Sequence, residues 1–175
     1  MLYLSQMLGE PVIDANGEKI GSISDLAIQT GEVFPRITSL AFLGPGKTPF
    51  MISWRKYVKD VTDDGIELKV DKTGIRFSYL QPDEVLLARD LLDRQIVDTQ
   101  GMKVVRVNDL KLSTSGSQLR LLGAEVGIRG ILRGLAPWVE HVALKLSKLF
   151  RKPLDEKIIA WNYMDLLDRN LSDVQ

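Results

Sequence analysis

A stretch that occurs twice constrains this chain more than any other feature. From Leu8 to Thr30 and again from Leu92 to Thr114, the sequence runs in step at one constant offset of 84 positions (98 − 14) without a gap. Leu8, Asp14, Gly17, Lys19, Asp25, Leu26 and Thr30 meet identical residues at Leu92, Asp98, Gly101, Lys103, Asp109, Leu110 and Thr114. Val12, Ile13, Ile20, Ile23 and Ile28 meet the apolar residues Ile96, Val97, Val104, Val107 and Leu112. Seven identities in 23 aligned positions exceed chance, and a long internal repeat implies one supersecondary unit built more than once. The 175 residues therefore read as two copies of one small domain.

Within the first copy, a short apolar run, a turn rich in Asp, Asn and Gly, and a second run alternating at period two follow one another in EPVIDANGEKIGSISDLAIQ. This is a hairpin pattern: Asn16-Gly17 supplies the positive φ of a tight turn, and Val12, Ile20 and Ile23 are β-branched. Further strands are expected in ITSLAFL, PFMISW and GIELKV, separated by GPGK and DDG, with RFSYL as one more before Gln81-Pro82. Five or six short strands in so few residues predict a small closed or nearly closed antiparallel barrel, since closure removes exposed sheet edges.

The second copy keeps the same order up to Val126 and then departs. Ile52, Ser53 and Trp54 correspond to Ile159, Ala160 and Trp161 at an offset of 107 (161 − 54), so residues have been inserted between the two matching blocks. In the insert, Ile128, Ile131, Leu132, Leu135, Val139, Val142, Leu146 and Leu149 recur at steps of three and four. That spacing predicts one apolar stripe on a helix, or on two helices broken near Pro137. The expected fold class is mainly β: two tandem small antiparallel barrels over 1–80 and 83–168, a helical insert over 127–152 in the second, and a connector over 169–175.

The order of a short helical turn (LSQML, ARDLL), then VIDANGEKIGSISDL or IVDTQGMKVVRVNDL, then a strand ending in SW or AW resembles the PRC-barrel family, named for the cytoplasmic domain of the photosynthetic reaction centre H subunit. LLDRQIVDTQGMKVVRVNDLKL, GAEVGIRGILRGL and IIAWNYMDLL are similar to segments that precede the N-terminal and CBS domains of proteins related to MgtE magnesium transporters. The resemblance implies a non-catalytic adaptor or regulatory module acting through protein–protein contacts, within a larger magnesium-transporter-related bacterial protein. By analogy with the ribosome-maturation factor RimM, it also offers RNA or ribosome binding as an alternative.

Composition narrows the chemistry. Lys and Arg number 23 and Asp and Glu 23, so no global charge draws the chain to nucleic acid or anionic lipid. Cysteine is absent, which excludes disulfides, thiolate zinc sites and cysteine nucleophiles. MLYLSQMLGEPV lacks a basic stretch followed by a long apolar one, and no run approaches the length of a membrane span. A cytoplasmic location is the expectation, with the inner membrane face within reach through the insert.

Each motif with chemical content has a plainer reading. GPGKT at 44–48 resembles the end of a phosphate-binding loop, but Ala41 stands where the first Gly belongs and a strand-like segment follows in place of a helix. Asp25 falls at the twelfth position of a calcium loop counted from Asp14, yet Lys19 stands where its turn needs Gly. Asp14 with Gly17, and Asp98 with Gly101, are therefore assigned to structural turns, and Asp25 and Asp109 to bonds with a neighbouring turn. Asp60, Asp63, Asp64 and Glu67 are the one candidate set for Mg²⁺, although VTDDGIEL also describes a solvated hairpin. His141 is the only histidine, and no serine has a nucleophile-elbow context. No catalytic residue, metal or cofactor is expected.

The insert is the most function-like element. Arg129, Arg133, Lys145, Lys148, Arg151 and Lys152 face only Glu140 in 127–152. With Trp138 and Phe150 as anchors, such a helix can dock on an acidic partner or an anionic membrane surface, or simply pack on the barrels. Trp54 and Trp161 are expected to plug a barrel end or to meet between copies. The two copies can pair with each other or with a second chain, giving a homodimer.

Overall fold

The computed structural model describes residues 1–98, 103–126, 157–160 and 164–166. The described chain is mainly β, its strands joined by short turns and single-turn helices. In order these are β1 (Leu2–Tyr3), α1 (Leu4–Met7), β2 (Pro11–Ile13), β3 (Lys19–Gln29), β4 (Ile37–Leu43), β5 (Pro49–Ser53), α2 (Trp54–Tyr57), β6 (Val58–Thr62), β7 (Gly65–Leu68), β8 (Glu84–Leu86) and α3 (Leu87–Asp90). They continue as β9 (Gln95–Asp98), β10 (Lys103–Ser115), β11 (Gln118–Val126), β12 (Lys157–Ala160) and β13 (Met164–Leu166).

The chain divides into two compact units. The first is Met1–Asp90 together with Leu110–Leu122, and the second is Leu91–Asp109 together with Gly123–Gln175. The long strands β10 and β11 thus contribute their hairpin tip to the first unit and their base to the second.

In the first unit the strand order is β5-β4-β3-β2-β7-β6, with β8 also on β3. The β2–β3 hairpin forms where the Asp14 carboxylate gathers its own turn, accepting the N–H groups of Asn16 and Glu18 at 2.9 Å each. Gly17 takes φ +80 there, a conformation that costs a residue without Cβ little. β3 alternates buried and half-buried residues through Ile23, and then Asp25, Leu26, Ala27 and Ile28 are all buried. Bulges against β4 fall at Ile23/Asp25 and Ala27/Ile28, where an extra residue turns the strand so that both its faces find cover. Leu4, Met7, Leu26, Ile28, Leu40, Ile52, Ile66, Leu68 and Leu87 are fully buried, each contributing roughly 1.5–3 kcal/mol of transfer free energy.

Three features depart from the expected barrel. Strand β2 pairs with β7 in parallel, Val12 opposite Ile66 and Ile13 opposite Glu67, so the sheet is mixed; the long connection between them permits the parallel direction. Among the described residues no ladder joins β5 to β6, and the sheet does not close. RFSYL forms no strand and meets β5 through the bond of Ser78 N–H to Met51 O at 2.8 Å and the stacking of Phe77 on Phe50, ring centroids 4.6 Å apart. Pro49 on that edge has no N–H to extend a ladder. β1 and β8 are short strands that pair with β10 and β3 respectively, Leu2 opposite Leu112 and Val85 opposite Ile28.

In the second unit, β9 pairs with the base of β10, Val104 opposite Val97, and with β13, Asp165 opposite Val97. β11 pairs with β12, Gly123 opposite Ala160 and Ala124 opposite Ile159. The first unit has the corresponding pairs Ser39 with Ser53 and Leu40 with Ile52. Backbone bonds recur as well. Gly9 N–H to Ile23 O, Ile23 N–H to Glu10 O and Glu10 N–H to Met7 O in the first unit match Asp93 to Val107, Val107 to Arg94 and Arg94 to Leu91 in the second. Gly9 at φ +86 corresponds to Asp93 at φ +60.

Candidate functional site

A cavity of about 690 Å³ opens on the first unit. Its walls come from the end of β3 and the loop after it (Gln29, Thr30, Glu32), the start of β4 (Arg36, Ile37, Thr38), the β5–α2 junction (Ser53, Trp54, Arg55), Lys69 after β7, and the β10–β11 hairpin tip (Ser117, Gln118, Leu119).

Trp54 sits at its floor because the chain turns there. Ser53 is the N-cap of α2, its hydroxyl accepting from Lys56 N–H at 3.4 Å, and the single turn folds the Trp54 ring inward to 4 % exposure. The indole Nε1 donates to Ser117 O at 2.9 Å, giving the ring's polar end a partner as burial requires. Trp161, its counterpart in the sequence repeat, lies outside the described residues.

Around this floor the charged groups are mostly cationic, Arg36, Arg55 and Lys69 against Glu32. Glu32 is held between two guanidinium groups, Arg120 Nη1 at 3.0 Å and Arg36 Nη2 at 3.4 Å. The Arg120 hydrogen bond, more than Arg36, lowers the Glu32 carboxyl below its ordinary value. Arg120 also donates to Phe34 O at 2.9 Å, and Leu121 N–H to Pro35 O at 2.9 Å, so the loop at 32–36 is laced to β11. Arg55 and Lys69 are exposed, and among the described residues neither is paired with a carboxylate. Lys69 Nζ donates to Arg55 O at 3.4 Å.

Asp25 has a specific task. Its Oδ1 accepts from Leu26 N–H at 2.8 Å and Ala88 N–H at 2.7 Å, and its Oδ2 from Arg89 N–H at 3.0 Å. A carboxylate on β3 thereby satisfies the first N–H groups of α3, a cap supplied from far away in sequence. Burial raises its pKa, opposed by these backbone bonds.

The remaining expected sites are placed as follows. Asp98 is buried, while Gly101 lies outside the described residues, as do Arg129, Arg133, Trp138, Lys145, Lys148, Arg151 and the whole insert. Asp60 Oδ1 accepts from Val61 N–H at 2.9 Å, and Asp63 and Asp64 form the turn between β6 and β7. Among the described residues no three groups of the kind that hold metal ions converge. GPGKT is a single 3-10 turn over Pro45–Lys47 leading into β5. No described helix is long and apolar enough to cross a membrane.

Sequence reasoning missed the groove because its cations lie at positions 36, 55 and 69, on three different elements. Only Arg55 belonged to a visible cluster, with Lys56 and Lys59.

Comparison with known families places residues 1–75 in a match to the PRC-barrel domain. No curated protein matches the chain.

Proposed function

We propose that this chain is a tandem pair of PRC-like units acting as a non-catalytic binding module, an adaptor that works through protein–protein contacts. The observation that carries the functional part is the open cationic groove over Trp54, whose walls come from both sequence copies. The tandem part is supported by three backbone bonds repeated at the offset of the sequence repeat and by the matched β4–β5 and β11–β12 registers. Membership of residues 1–75 in the PRC-barrel model supports a small β domain of binding type, although a fold does not by itself fix a function. Its resemblance to segments of magnesium-transporter-related proteins extends the proposal to a regulatory part of a larger protein.

Affinity capture with the intact chain tests the reading, beside a chain lacking 127–152, with and without millimolar Mg²⁺. A stoichiometric protein partner retained by the intact chain is expected. Retention by the shortened chain assigns binding to the β units, and its loss assigns binding to the insert. Recovery of nucleic acid alone, or of nothing above background, contradicts the adaptor reading.

A further inference from the structure

We propose that the groove over Trp54 takes an extended acidic polypeptide segment, its carboxylates set against Arg55, Lys69 and Arg36. The inference rests on reading the chain as a protein-binding module and names the chemistry of its partner.

The charge of the lining points one way. One carboxylate, Glu32, is shared by two guanidinium groups, Arg36 and Arg120, so it cannot neutralise both. Arg55 and Lys69 stand on the same walls with no acidic partner among the described residues. In a net-neutral chain, this local excess is the complement of a negatively charged segment, which electrostatics steers and orients. Arg55 offers the planar fork that binds carboxylate in two-point fashion, and Lys69 a mobile point charge.

The shape and remaining groups favour a polypeptide over a nucleic acid. Gln118 and Thr30 add amide and hydroxyl groups to the lining, the donors and acceptors that a peptide backbone uses. Single-stranded nucleic acid is held by bases stacked on exposed aromatic rings. The lining's one aromatic ring, Trp54, is buried, and its Nε1 is committed to Ser117 O.

Fluorescence anisotropy with the full chain tests the assignment, using as probes a labelled peptide of alternating Glu and Ser, its Lys-for-Glu counterpart, and a labelled uridine-rich RNA. The Glu peptide is expected to bind, the Lys peptide not, and the RNA more weakly than the Glu peptide. The double variant Arg55→Glu with Lys69→Glu, both at exposed positions, is expected to weaken Glu-peptide binding at least tenfold with an unchanged melting curve. Lys59→Glu with Lys72→Glu changes net charge equally outside the groove and is expected to cost less than threefold. Equal losses from both double variants, tighter RNA binding, or no binding of the Glu peptide overturns the proposal. Failure here is separable from failure of the adaptor reading. A captured partner that still binds the Arg55/Lys69 variant removes the groove assignment and keeps the binding module; a chain that captures nothing removes both.

Discussion

Arg36 and Arg120 face each other in an isolated antiparallel bridge. They are 84 positions apart (120 − 36), which is the offset of the sequence repeat, so each position pairs with its own counterpart. Both guanidinium groups then converge, and Glu32 answers both.

Asp25 is expected to hold α3 in place. Asp25→Ala leaves one buried and two part-buried N–H groups without their acceptor and is expected to cost about 2–3 kcal/mol in denaturant unfolding. Asp25→Asn keeps an acceptor at Oδ1 but sets an amide NH₂ against Arg89 N–H, and is expected to cost less.

The same carboxyl gives a pH signature. Burial raises the Asp25 pKa above 3.8. A carboxyl raised on folding contributes stability that is complete below its unfolded pKa and is lost as pH rises through its folded value. The stability difference between the parent and Asp25→Asn is therefore expected to shift in the parent's favour as pH falls toward 3.8. Denaturant titrations at several pH values check it, and a difference independent of pH contradicts it.

How much of this was legible in the sequence depends on distance along the chain. The Asp14 turn is local, since its donors lie two and four residues away, and the β2–β3 hairpin follows from it. The capping partner of Asp25 lies 63 residues on, so the sequence shows only an Asp misplaced in a strand. β1 and β8 are two and three residues long, too short for a period-two pattern, and their partners lie on distant strands. The positive φ at Asp93 is hidden because the repeat carries Gly at its first occurrence and Asp at its second. The groove's cations converge only once those strands have paired.

Trp54 tests whether the hairpin tip is secured by the groove floor. Trp54→Phe keeps a smaller aromatic ring but removes the Nε1 bond to Ser117 O, and is expected to cost about 1–2 kcal/mol. Trp54→Ala also empties the site and is expected to cost about 3–5 kcal/mol. Thermal and denaturant unfolding of the two variants measure both.

Gly65 closes the β6–β7 turn at φ +144, and a Cβ there would lie 2.5 Å from Pro11 O. Gly65→Ala is expected to destabilise by about 2 kcal/mol or more, through backbone strain and displacement of β2. Unfolding measurements that place it level with the parent chain would contradict the observed turn.

The bridge between Arg36 and Arg120 is tested most directly by a disulfide between Arg36→Cys and Arg120→Cys. The chain has no cysteine of its own, so the pair would be the only thiols present. Opposed positions in an antiparallel bridge lie within disulfide reach. Rapid intramolecular oxidation is expected, with stabilisation of up to about 4–5 kcal/mol from the long closed loop. A pair that stays reduced, or that links only between separate molecules, would contradict the bridge of Arg36 with Arg120.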